Sequence, residues 1–218
     1  SLGTLYYDKT GLVVNGGTLK YSGSTNTMDY NNAARGFTVG TSGATFETST
    51  AGVTWNFYRD TNTSYQATFN GNVILTGAGN GVMQQVINGT GNTVTKSGAG
   101  TWSLAGVNTY TGNTTINSGT LVISDSGSLG SGSYAGNIVN NGVFKYSSSA
   151  DQIISGAIGG TGDLYKDTSI VSTLTLSYAN TYSGSTTISA GTLALGINDA
   201  LPTGTALTLN GILNLSGY

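Results

Sequence analysis

The sequence contains no cysteine and no histidine, and its only proline is Pro202. Without cysteine there is no disulfide staple and no thiolate zinc site. Without histidine the commonest general base is missing, and with it the Cys/His and Ser/His catalytic pairs. Charge is scarce as well: Asp, Glu, Lys and Arg make up 7% of the 218 residues, roughly a quarter of the ordinary share. A net charge of −2 offers no basic face for nucleic acid. Nor is there a polybasic stretch for an anionic lipid surface. No apolar run approaches the length of a bilayer span, so no membrane insertion by this segment is expected. No charged-then-apolar leader opens the chain, and Ser1 in first place suits a processed or excised segment.

What is abundant is glycine, at 35 residues, set among Thr, Ser and Asn. Glycine at this level without a G-X-Y period excludes collagen, and 37% hydrophobic content argues against disorder. The remaining class is a chain of many tight turns and short strands.

Two eighteen-residue phrases dominate: "GVNTYTGNTTINSGTLVI" at 106–123 and "YANTYSGSTTISAGTLAL" at 178–195. Set in register, with Asn108 on Asn180, twelve of the 23 positions from Thr101 to Ile123 are identical to their counterparts. The positions that define the repeat are Asn108, Tyr110, Gly112, Ile116, Gly119 and Leu121. Their counterparts are Asn180, Tyr182, Gly184, Ile188, Gly191 and Leu193. Wider echoes divide the chain into a module at 1–127, a second at 128–199 and the start of a third at 200–218. The first module carries a non-repeating insertion, about residues 24–86, where the second has only "SSADQIISGA".

"TLVI", "TLAL", "TWSL", "TLTL", "TLKY" and "VFKY" alternate apolar and polar residues and are bounded by Gly or Asn-Gly, the pattern of short half-buried strands. No window sustains a helical period. Such strands bury one side only, so a single copy has no core, whereas stacked copies do. A propeller requires regular blades, and a sandwich has no need of near-identical phrases. A β-helix accepts loops of any length between rungs. The expected fold is therefore all-β, a parallel β-helix with little or no helix. It comprises about ten rungs over about 50 Å, one continuous solenoid. Asn, Thr and Ser at its turns are expected to form side-chain ladders between rungs.

"GAGTWSLAGVNTYTGNTTINSGTLVI" and "STLTLSYANTYSGSTTISAGTLAL" resemble the autotransporter-associated β-strand repeat, also called the passenger-associated transport repeat. "RGFTVGTSGATFE" (35–47) is similar to a companion segment found between such repeats. The resemblance implies a right-handed parallel β-helix in a bacterial surface-exposed or secreted protein, often the passenger of a type V secretion system. The second copy departs from the pattern at Asp167-Thr168-Ser169-Ile170-Val171-Ser172, a loop two residues longer than its counterpart.

Chemistry-bearing residues are few. The nine acids are scattered, and the closest pair, Asp163 and Asp167, flanks Lys166 and reads as solvated turn residues. Glycoside chemistry requires clustered carboxylates, so an enzyme is not expected, and no catalytic, cofactor or metal residues are assigned. Gly89-Thr90-Gly91 lacks the lysine and helix of a phosphate loop and reads as a turn. Trp102 aligns with Leu174 and reads as core. The stretch "VTWNFYRDTNTSY" (53–65) lies in the insertion, where solenoids carry binding loops. Trp55, Tyr58, Arg59 and Tyr65 form the candidate partner or glycan surface.

The expected function is a structural stalk or spacer in a bacterial cell-surface or secreted protein, as part of an adhesin. Its partners are neighbouring β-helix repeats of the same or another copy, together with a cell-surface glycan or protein. Because no cap is evident at either end, an alternative is a fibre subunit stacking head to tail. A glycan-binding module is a further alternative.

Overall fold

The computed structural model describes residues 12–25, 37–59, 66–167 and 171–217. Every strand pairing among them is parallel and joins one turn of the chain to the next. The result is a β-solenoid of about nine turns. The sole helical element among the described residues is a single 3₁₀ turn at Gly130–Gly132.

Each turn visits three faces in the same order. Face one begins with β1 (Val13–Val14), β3 (Thr38–Val39) and β6 (Thr68–Phe69), and resumes with β13 (Ser133–Tyr134), β16 (Gln152–Ile154), β19 (Thr173–Leu176), β21 (Thr192–Leu195) and β23 (Ile212–Asn214). Between those groups it passes through the isolated bridge Val107–Ser128. Face two stacks β2 (Thr18–Tyr21), β4 (Ala44–Thr48), β7 (Val73–Thr76), β9 (Val94–Lys96), β11 (Thr114–Ile116), β14 (Ile138–Asn140) and β17 (Ile158–Gly159). Face three stacks β5 (Thr54–Phe57), β8 (Asn80–Met83), β10 (Thr101–Leu104), β12 (Thr120–Ile123), β15 (Val143–Tyr146), β18 (Asp163–Lys166), β20 (Thr186–Ile188) and β22 (Leu207–Leu209). The strands between residues 38 and 83 thus run in the same three faces as the repeats.

The period-two alternation decides which residues enter the core. Trp102 and Leu104, Leu121 and Ile123, Phe144 and Tyr146, and Leu174 and Leu176 point inward and are buried. Their neighbours face out as Thr, Ser, Val or Lys. Trp102 is core, as its alignment with Leu174 indicates, and its indole N–H donates to the Thr76 carbonyl at 3.1 Å.

The turns differ in length. Early turns are long: β1 and β3 pair Val13 with Thr38, and β3 and β6 pair Thr38 with Thr68. Later ones tighten, so that Val94 pairs with Thr114 and Val143 with Asp163. Aromatic rings cluster in the core of these early turns. Phe37 contacts Phe46, Phe57 and Phe69 with centroids 5.5, 5.8 and 5.6 Å apart, and Phe57 lies 6.2 Å from Trp102. Tilted, edge-on and stacked ring pairs of this kind add to the burial of their large apolar area.

The two phrases do not occupy the same faces. In the first, Thr101–Leu104, Thr114–Ile116 and Thr120–Ile123 lie on faces three, two and three. In the second, Thr173–Leu176, Thr186–Ile188 and Thr192–Leu195 lie on faces one, three and one. From Asn108 to Asn180 the chain completes three of its tighter turns and then one further face. Each repeat is therefore advanced by one side of the rod. The phrase does not specify a face; it specifies how one turn meets the turns above and below.

Candidate functional site

Asn108 shows how that meeting is made. Its side chain is fully buried. The amide oxygen accepts the Ile87 N–H at 3.0 Å from the turn before, while the amide nitrogen donates to Ser128 O at 3.1 Å in the turn after and to Gly106 O at 2.7 Å. Asn180 repeats the arrangement, accepting from Ile158 N at 2.7 Å and donating to Ala200 O at 2.7 Å. Only a carboxamide offers an acceptor and a donor together at this reach. Each asparagine therefore clamps three consecutive turns.

Two residues on, Tyr110 and Tyr182 turn inward. Their hydroxyls bond the buried hydroxyls of Thr114 and Thr186 at 2.8 and 2.7 Å. Tyr110 also meets the edge of Tyr134, 5.6 Å away. Burial raises the phenol pKa in each case, to about 12 for Tyr182 and Tyr134 and well above the ordinary value for Tyr110.

The repeat glycines serve two purposes. At Gly112 a side chain would collide with the Asn92 and Gly91 carbonyls of the preceding turn, and at Gly184 with Gly162 O, so these positions allow backbones to approach. Gly119 and Gly191 both adopt φ of 69°, the left-handed turn that returns the chain into its next strand. Ile116, Leu121, Ile188 and Leu193 fill the core. Turn asparagines form the expected ladders: Asn113 Oδ1 accepts Asn137 N at 3.0 Å, and Asn137 Oδ1 accepts Ala157 N at 3.0 Å.

Two buried lysines were not legible in the sequence. Lys96 is 0% exposed and stands in the inward column between Leu75 and Ile116. Its ammonium donates to the carbonyls of Ser97, Gly98 and Ser118 at 2.6, 2.8 and 3.1 Å, which uses all three of its protons. Burial without a counter-charge lowers its pKa to about 8. Lys166 also points inward, 5.8 Å from the Tyr146 ring, and burial lowers its pKa too. Both close a strand, and their only sequence signal is the strand-ending pair itself, "TK" ahead of Ser97-Gly98 and "YK" ahead of Asp167-Thr168.

The acids do not converge. Asp163 opens a strand rather than a turn, and its carboxylate accepts the Ser185 N–H and hydroxyl at 2.7 and 2.8 Å. Asp167 pairs with Lys145. Among the described residues no group of three or more Asp, Glu, His or Cys gathers to hold a metal.

The partner surface expected at 53–65 needs one correction. Trp55 is 4% exposed and packs in the core, 4.2 Å from Phe57 and stacked on Tyr21 at 5.8 Å. It shares the inward phase of Val53 and Phe57, so it offers no outer face. Tyr58, 40% exposed, and Arg59 do face solvent. Their backbone is held by the next turn, Tyr58 O accepting from Gln85 Nε2 at 2.6 Å and Arg59 N donating to Gln84 Oε1 at 3.3 Å. Tyr65 lies outside the described residues, as do residues 168–170 of the longer loop.

Residues 94–123 and 172–195 match the family model for the passenger-associated-transport-repeat. Two separate segments of the chain are therefore similar to this repeat. The matched segments coincide with the two clamped phrases, each taking in the Asn-Thr-Tyr corner and the strand that follows it. Over 100 residues the chain is 37% identical to the Adhesin BmaC autotransporter of Brucella suis biovar 1 (strain 1330), a match covering 46% of this chain and 3% of that protein. The chain thus spans about 3% of the length of this curated relative. No solved structure matches the chain. The passenger repeats and this likeness indicate an extracellular or cell-surface protein.

Proposed function

We propose that this chain is a stalk: a rigid passenger segment that sets the distance between a cell surface and whatever the rest of the protein presents. The observation that carries this reading is the pair of asparagine clamps. They spend the repeat's most distinctive residue on joining turn to turn, buried from any ligand. Length in such a rod follows turn number at about 4.8 Å per turn. The repeat family and the solenoid fold support a structural, non-catalytic role. The test is displayed length. Three further copies of residues 124–195, inserted in the surface-displayed protein, add about ten turns and extend the protrusion seen by electron microscopy by about 48 Å. An unchanged length overturns the stalk.

A second reading, part of an adhesin, is favoured by Tyr58 and Arg59. An exposed ring beside an exposed guanidinium, on backbone held by the neighbouring turn, is suited to a sugar or an acidic group. Replacing both with alanine should abolish attachment to cells while the circular dichroism stays unchanged. Undiminished attachment dismisses this surface.

A further inference from the structure

Face two is free of charge along most of its length, whereas face three carries Lys145 paired with Asp167 and, on the same strand as Lys166, Asp163. Strand registers give face two a central outward column. In one half it runs Thr18, Thr45, Ile74 and Thr95. In the other it runs Thr115, Val139, Gly159 and Thr181. Read end for end, the column complements itself. Thr95 falls opposite Thr115, Ile74 opposite Val139, and Thr45 opposite Gly159, which has no side chain to oppose it. Ile74 and Val139 are 39% and 41% exposed. In the next column out, Ser97 falls opposite Asn117 and Glu47 opposite Thr161, so no like charges meet. Glu47 is already neutralised by Lys20 at 2.9 Å.

We propose that face two is a homophilic contact, in which two copies of the chain pack face to face with their rods antiparallel. The two-fold axis lies between the Thr95 and Thr115 rungs. A self-complementary patch is what an isologous contact requires. β-Branched side chains on two flat sheets interdigitate at about 10 Å separation. A neutral glycan is the other candidate occupant, but no aromatic ring stands on this column for a sugar to stack against. Seven strands give a strip of about 30 by 12 Å, near 400 Å² per partner and roughly half of a standard interface. The association is therefore weak and reversible, and it strengthens as turns are added.

Sedimentation velocity from micromolar to millimolar concentration tests it. The wild-type chain shifts toward dimer as concentration rises. Thr95→Lys and Thr115→Glu each weaken the dimer by about tenfold or more, and Thr175→Lys on face one leaves it unchanged. Mixing the Thr95→Lys and Thr115→Glu chains restores association, because the new ammonium faces the new carboxylate only in the antiparallel arrangement. Ile74→Glu mixed with Val139→Lys provides an independent second pair. Any of three results overturns the proposal: a wild-type chain monomeric throughout, whether or not a neutral polysaccharide column retains it; single variants that associate as wild type does; or mixtures that fail to restore the dimer.

Discussion

Asn108→Ala removes three hydrogen bonds from one buried point. The consequences differ by partner. Ser128 O and Gly106 O each keep a backbone donor, Asn108 N at 2.9 Å and Ser128 N at 3.2 Å. They lose a second bond, at about 1 kcal/mol each. The Ile87 N–H loses its amide acceptor in a fully buried turn, a loss of about 1–3 kcal/mol. Together the variant is expected to lose about 3–5 kcal/mol, a large part of a domain stability of about 5–15 kcal/mol. Asn113→Ala serves as the control: it removes one exposed acceptor of the Asn137 N–H, and about 1 kcal/mol or less is expected. Urea denaturation followed by circular dichroism gives the two midpoints, and amide exchange at Ile87 reports the local opening directly. If Asn108→Ala matched Asn113→Ala, or left Ile87 as protected as in the wild type, the clamp would not hold the turns.

Stability should vary with pH in two opposite steps. Lys96 has its folded pKa lowered to about 8, so the native state sheds that proton before the unfolded chain does, and stability rises from pH 8 toward the ordinary lysine value. Tyr134, Tyr146 and Tyr182 have folded pKa values raised to about 12, so the stability they contribute is complete below pH 10 and is lost as pH climbs to 12. Denaturation midpoints across this range should therefore rise and then fall, and Lys96→Met should flatten the rise and leave the fall. Gly112→Ala should cost about 2–4 kcal/mol, because its methyl group meets two carbonyls of the preceding turn; a melting temperature indistinguishable from wild type would contradict the close approach.

The fold was legible because local and global signals agree in a solenoid. "TLVI" and "TWSL" bury alternate residues whichever face they occupy, so period two alone reveals the inward side. The repeated phrase revealed the stacking. What it concealed was the one-face advance, since that depends on turn lengths summed over three coils, including loops whose residues leave no periodic mark. Trp55 was misplaced for a related reason. Aromatic density read as an exposed patch, yet the same density packs the core of the early turns, and its phase with Phe57 was the better guide. The buried lysines were hidden because residue type predicts exposure, while three corner carbonyls awaiting donors can be seen only in three dimensions.

The central claim is a rod of evenly stacked turns in which the second repeat has moved on by one face. Since the chain has no cysteine of its own, two introduced cysteines carry spin labels without ambiguity, and pulsed electron paramagnetic resonance measures the distance between them. Labels replacing Thr45 and Thr181 sit six turns apart on face two, and labels replacing Thr95 and Thr181 sit four turns apart. A narrow distribution is expected at about 29 Å for the first pair and at about 19 Å for the second, a difference of two turns. If the second Asn-Thr-Tyr corner lay instead on the face of the first, Thr181 would fall across the rod from the other labels. The two distances would then depart from this ratio, and the stacking described here would be wrong.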